Sequence, residues 1–358
     1  MKLLLYPYNQ ENRFLLLKKD FPKITGICIG REQKSSEYTA MKQFKVHNLL
    51  FECVDEYEGI IFYPSEKVYG KLKERFMEEM VTCIKKKKHV FCIMQLTKEE
   101  LSTVQESLED KEINLFHNLP PYCFKSDLAS GEGRLYTCGC PVIFIGELCI
   151  GMQVEEVIMK LYNTFEGHGY KVEIILDNPC ADLMGMYTTP SFIYENIAEC
   201  DKILRFNHYI QKIYENDHPD VIFVQIPGNV LPLCEDTISD FAIFCFYYSR
   251  ALKPDLFYCL LPSNLSDDKT VAVFHNDLKS RYGFGFDGVF VSGKHLDLNE
   301  ASRNGSVEYI TMETGKKESK ILTIEEDSLL VIGQDTPHFG EQVYSFTEEV
   351  LATEFEVV

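Results

Sequence analysis

The stretch from Pro141 to Asn178 narrows the possible folds more than any other part of the chain. It reads as strand, loop, helix and strand: PVIFIG, ELCIGMQ, VEEVIMKLYNTFEGHGY and KVEIILDN. Val154, Val157, Ile158, Leu161 and Phe165 recur at helical spacing, so the third segment is an amphipathic helix. The loop has the frame of a phosphate-binding loop, which is Gly, four residues, Gly, Lys and Ser or Thr between a strand and a helix. Gly146 and Gly151 hold the two glycine positions. Met152 stands where the lysine belongs and Gln153 where the hydroxyl belongs. Met152 cannot neutralise a β- or γ-phosphate, and Gln153 is a poor magnesium ligand. Backbone N–H groups at a helix start still suit an anion, but Glu147 adds negative charge inside the loop. The expectation is a structural relic, or a peptide or ligand contact, without classical NTP hydrolysis.

A second segment agrees. In such folds another strand ends in a carboxylate that holds magnesium. In DVIFVQIPGN, Gln225 lies within the strand, Pro227-Gly228 closes it, and no carboxylate stands at its tip. The Pro227-Gly228 turn still places backbone at the carboxyl end of the sheet, where open α/β folds bind ligands. In the helix ILRFNHYIQKIY, Ile203, Phe206, Ile210 and Ile213 form the apolar stripe, with Asn207 and His208 flanking it. Spacing alone reads these two as partly exposed helix surface. Cys149 lies in the loop before a helix, where a thiolate is favoured. Cys138 and Cys140 are close by, with Cys123 before them, but Cys-Gly-Cys is not zinc-knuckle spacing, so no metal is expected.

Composition bounds the function class. The net charge of -19 opposes nonspecific binding to nucleic acid and permits a basic partner. The 13 cysteines follow no regular spacing, and several sit in apolar runs such as VFCIM and LFYCLL, which indicates a reducing compartment. No apolar run approaches the ~20 residues of a membrane span. A cytoplasmic protein is therefore expected.

At 358 residues the length suggests two domains. Strands are expected at 2–7, 24–30, 59–63 and 89–95, with helices at 9–20 and 68–88 and a capping box from Thr97 to Glu100. The four lysines at 85–88 suit a helix C-terminus rather than a nucleic-acid patch. The Pro/Gly/Ser-rich stretch 118–133 marks a boundary. After 134 the expected elements are strands at 172–176, 220–226, 256–261 and 288–292, and helices at 194–215, 240–251, 270–282 and 340–353.

The opening LLLYPY, PVIFIGELC with its helix and GHGYKV, DKILRFNHYI, and PDVIFVQIPGNVLP resemble the family of peptide maturation system proteins. These occur in clostridia and their relatives, beside radical-SAM maturases of cysteine-rich peptides. The resemblance implies an α/β protein with two domains: a Rossmann-like domain over 1–130, and over 134–358 a parallel-sheet domain similar to P-loop NTPases with an eroded signature. It implies an accessory role in maturing a ribosomally made peptide, with the precursor peptide and the maturase as partners; from the eroded loop, no cofactor is expected. Gly146, Cys149, Phe206, Asn207, His208, Pro227 and Gly228 are the positions it carries over. Gly151 joins them from the loop pattern. The alternative is an enzyme or switch that binds ATP, GTP or another phosphorylated ligand at this loop, with Asn207 and His208 nearby. A thiol role for Cys149 is a third reading. No oligomeric state follows from the sequence.

Overall fold

The computed structural model describes residues 1–18, 24–29, 44–64, 66–86, 88–93, 96–106, 115–117, 133–232, 241–297, 300, 307–311 and 319–355. The chain divides into two compact units, Met1–Pro121 with Asp182–Gly185, and Tyr122–Ala181 with Met186–Val358.

The first unit is built on six strands: β1 (Leu3–Tyr6), β2 (Ile24–Cys28), β3 (Lys45–His47), β4 (Gly59–Phe62), β5 (His89–Cys92) and β6 (Leu115–His117). Their order is β3-β2-β1-β4-β5-β6 and every pairing is parallel. This is the Rossmann order. β1 and β4 are short apolar runs buried along their whole length, as strands covered on both faces must be. The helices are α1 (Leu50–Cys53), α2 (Glu66–Lys85) and α3 (Lys98–Glu106). Phe76, Met80 and Cys83 of α2 pack with Leu4, Tyr6 and Phe62 in the core. The expected capping box opens α3: Thr97 N–H donates to Glu100 Oε2 (2.8 Å) and Glu100 N–H to Thr97 Oγ1 (3.3 Å). Lys86 pairs with Asp55 (3.1 Å) and Lys88 donates to the Tyr57 carbonyl (2.6 Å), so these cations serve the fold.

In place of the helix expected over 9–20, the described residues 9–18 form a 3-10 turn, Arg13–Leu16. The cause is local. Asn9 and Asn12 each accept the other's backbone N–H (3.1 and 3.0 Å). Asn12 Nδ2 also donates to the carbonyls of Pro7 (2.9 Å) and Tyr63 (3.0 Å). Asparagines that bond nearby backbone in this way compete with a helix. They also tie the ends of β1 and β4 together, at the point where the strand order reverses and such sheets bind ligands.

The second unit has an eight-stranded sheet: β7 (Val142–Glu147), β8 (Val172–Leu176), β9 (Tyr187–Thr188), β10 (Val221–Asn229), β11 (Leu256–Leu261), β12 (Gly288–Val291), β15 (Lys320–Ile324) and β16 (Asp327–Gly333). A separate antiparallel pair is formed by β13 (Lys294–Leu296) and β14 (Tyr309–Thr311). The large sheet runs β15-β16-β12-β11-β7-β10-β8-β9. Only the β15–β16 pairing is antiparallel. The helices are α4 (Val154–Gly167), α5 (Glu199–Asp217), α6 (Ile243–Ala251), α7 (Asp268–Tyr282) and α8 (Phe339–Phe355). The expected apolar face of α4 is buried as a whole. β7 lies inside the sheet, between β10 and β11. The chain leaves β7 toward β8 on one side and later reaches β11 on the other. The carboxyl end of β7 is therefore the ligand-binding position of an open α/β sheet. Among the described residues no helix is long and apolar enough to cross a membrane.

Candidate functional site

The loop after β7 departs from a phosphate-binding loop in its backbone as well as its side chains. Gly146 lies inside β7, paired with Cys259 of β11, rather than in the loop. A Cβ there would sit 2.4 Å from Val230 Cγ1, so this glycine answers to packing and not to a phosphate. β7 runs on through Glu147, whose side chain turns back into the loop. Gly151 N–H donates to Glu147 Oε1 (2.9 Å) and Met152 N–H to Oε2 (2.8 Å). The amides that would cradle a phosphate hold the chain's own Glu147 carboxyl group instead. A third amide, Ile150 N–H, donates to Asn229 Oδ1 (2.8 Å). Met152 is fully buried. Gly151 has φ +90 and Gln153, at the start of α4, φ +70.

The loop is held from above by the β13–β14 pair. Tyr309 OH donates to the Ile150 carbonyl (2.8 Å), and Lys294 Nζ to the Gly151 carbonyl (2.6 Å). Part of the stretch after Lys294 thus fastens this loop, and another part supplies β16 to the large sheet. Glu147 is only 8% exposed. Burial pushes its carboxyl up, Glu155 pushes it further, and the two amides and Lys294 pull it back, leaving it at about 8.

Two more carboxylates stand at the same edge. Glu155 lies in the first turn of α4, and Asp177 directly follows β8. Gln225 of β10 bridges them: its Oε1 accepts from Asp177 N–H (2.8 Å) and its Nε2 approaches Glu155 Oε1 (3.5 Å). Burial raises both carboxyls, against hydrogen bonds to Glu155 from Gln225 and Asn178 and to Asp177 from Tyr194 and Thr189. Tyr194, 52% exposed, carries this edge onto an aromatic face. Its ring meets Phe244 (5.3 Å between centroids), Phe244 meets Tyr247 (6.4 Å), and Tyr247 meets Phe246 (6.3 Å). Ile243 and Phe246 are 39% and 37% exposed.

The residues singled out in the sequence do not all converge. Pro227 and Gly228 do not close β10 but form an irregularity inside it, between Gln225 and Asn229, with Gly228 at φ +67. That irregularity resumes pairing at Asn229, opposite Glu147. Cys149 is buried and its thiol is pushed up to about 12, mainly by burial, which removes it as a reactive thiol. Asn207 and His208 are not beside the loop. Asn207 is buried in α5, accepts from Tyr136 N–H (2.7 Å), and donates to the carbonyls of Tyr136 (2.8 Å) and Ala251 (2.9 Å). His208 Nε2 lies 3.1 Å from the Arg134 carbonyl, and its ring packs on Tyr136. These partners precede β7 and β11, at the amino edge of the sheet. Cys138 and Cys140 bring their sulfurs within 3.8 Å, while Cys123 lies outside the described residues. Among the described residues no group of three or more His, Cys, Asp or Glu side chains could hold a metal ion.

No protein-family model matches the chain, and no curated protein matches it. Among solved structures it is similar to a DUF1611 family protein from Anabaena variabilis, with a TM-score of 0.56 and 11% identity. The match covers 84% of this chain and 90% of that one. At that identity the likeness carries the fold alone. The chain is a two-domain α/β protein, with a Rossmann-like strand order in its first sheet and an eight-stranded, mostly parallel second sheet. Its loop residues do not fit a nucleoside triphosphate with magnesium. The amides are taken by Glu147, and Met152 is buried.

Proposed function

We propose that this protein is a non-hydrolysing accessory factor in the maturation of a ribosomally made peptide. It works in the cytoplasm, binding and presenting the precursor or scaffolding its radical-SAM maturase. The peptide context comes from the sequence resemblance. The observation that carries the non-hydrolysing part is the Glu147 carboxyl group on the amides of Gly151 and Met152. The binding part draws on the exposed side chains of Tyr194, Ile243 and Phe246, bordered by Asp177. Contiguous exposed apolar surface marks interaction sites, and aromatic anchors dominate them. A net charge of -19 favours a basic partner.

The deciding experiment is co-expression with a neighbouring maturase and precursor, followed by size-exclusion chromatography. Co-elution at micromolar concentration is expected, with Phe246→Ser and Asp177→Asn each weakening it about tenfold. Three separate peaks end the scaffold reading. A thermal-shift titration covers the enzyme or switch alternative: ATP or GTP, with or without magnesium, is expected to leave the melting temperature unchanged. A saturable rise would reinstate a nucleotide ligand.

A further inference from the structure

The segment that leads into β7 carries a second site, far from the carboxyl edge in kind and in place. Cys138 and Cys140 flank Gly139, and their sulfurs lie 3.8 Å apart in a hydrogen bond. Both are half-buried, so a small disulfide can reach them. A disulfide needs an S–S distance of about 2.05 Å, so side-chain rotation must close only about 1.8 Å. Gly139 lets this segment lie close against Tyr214, since a Cβ there would fall 2.3 Å from the ring.

The same segment is braced on its upstream side. Asn207 bonds both the N–H and the carbonyl of Tyr136, and His208 reaches the Arg134 carbonyl. This gives the Asn207-His208 pair a positioning role that the carboxyl-edge site does not use. Asp255 and Asp220 face the thiols from the starts of neighbouring strands. The hydrogen bond from Cys140 is the largest influence on Cys138 and, with backbone N–H groups, lowers its thiol below the usual range, while the same contact and burial push Cys140 up. A thiol that ionises near ambient pH is the best attacker in disulfide exchange.

We infer that Cys138 and Cys140 form a thiol–disulfide exchange site for small or peptide disulfides, with Cys138 attacking and Cys140 resolving. The Cys138 thiolate attacks one sulfur of a disulfide RSSR. The Cys138–SR bond forms, the S–S bond breaks, and one RS⁻ leaves with the electron pair and takes a proton. Cys140 then loses its proton to solvent and attacks the Cys138 sulfur, releasing the second RS⁻. The net change is one disulfide reduced to two thiols and the protein dithiol oxidised to Cys138–Cys140. This site goes beyond the accessory role and stands without it.

The test uses the full reduced chain with glutathione disulfide as the probe, rapid alkylation, and mass mapping of the peptide that holds residues 135–160. The expected product is that peptide short of two hydrogens, formed at least tenfold faster than glutathione is added to the exposed Cys200. Cys140→Ser should stop at a glutathione adduct on Cys138, and Cys138→Ser should abolish the fast phase. Both variants are expected to keep the wild-type melting curve. Oxidation no faster than at Cys200, or a disulfide that appears only in denaturant, overturns the inference. So does an adduct on Cys140 rather than Cys138 in the single variants.

Discussion

A carboxyl buried against two backbone amides is pulled both ways, by hydrogen bonds that favour its ionised form and by lost hydration that penalises it. For Glu147 the penalty wins, and the folded value is about 8 against about 4.3 in an unfolded chain. Between those values the folded state keeps a proton that the unfolded state has lost. The contribution of this group is therefore full below about pH 4 and shrinks as pH rises toward 8. Urea denaturation at several pH values should show stability falling across that window, and Glu147→Gln should flatten the slope by an amount on the order of a few kcal/mol in total. An unchanged slope would mean that the carboxylate is not confined as described. Gly146→Ala should lower stability by roughly 1–3 kcal/mol through overpacking, because the new methyl meets Val230 Cγ1. Val230→Ala in the same chain should restore much of that loss, since the two sites touch. Asn207→Ala should destabilise by about 2–4 kcal/mol by orphaning Tyr136 and Ala251 backbone groups, while any affinity at the carboxyl edge stays as it was.

The loop after β7 depends on two borrowed supports, the Asn229 side chain and the β13–β14 pair. Tyr309→Phe should leave the sheet intact and speed amide exchange at 150–152 several-fold, read by hydrogen exchange with mass spectrometry. These supports also show where a sequence stops being informative. β8 and β11 fall where their apolar runs place them, and α4 begins at the expected Val154, because burial periodicity is written residue by residue. The β15–β16 hairpin was not legible. Its turn is Glu325-Glu326, without the Gly or Asn that signals such turns, although Glu325 takes φ +54. Gly146 misled for the opposite reason. A glycine needed for close packing and one needed for a phosphate are written with the same letter. The hold of Glu147 on Gly151 and Met152 is a matter of backbone direction, which no spacing rule encodes. Glu155 and Asp177 went unnoticed because only the sheet, through Gln225, makes them neighbours.

At the scale of the molecule, each unit closes its own ligand position with its own side chains: Asn9 and Asn12 at the β1–β4 reversal, and Glu147 at the end of β7. The large sheet draws all its strands from 142–333, so a fragment spanning 133–358 should fold with a single cooperative transition by circular dichroism. A broad, non-cooperative melt would show that it needs the first unit. The borders of that sheet have a further effect. One rim ends in β9, only two residues long, and the other in β15, which runs against its neighbour and opens with Lys320. A rim that is stubby or charged gives a second molecule little backbone to zip onto. Copies of this chain are therefore steered away from joining sheet to sheet, and crowded solutions of it should resist amyloid-like stacking even though its central strands are almost wholly apolar.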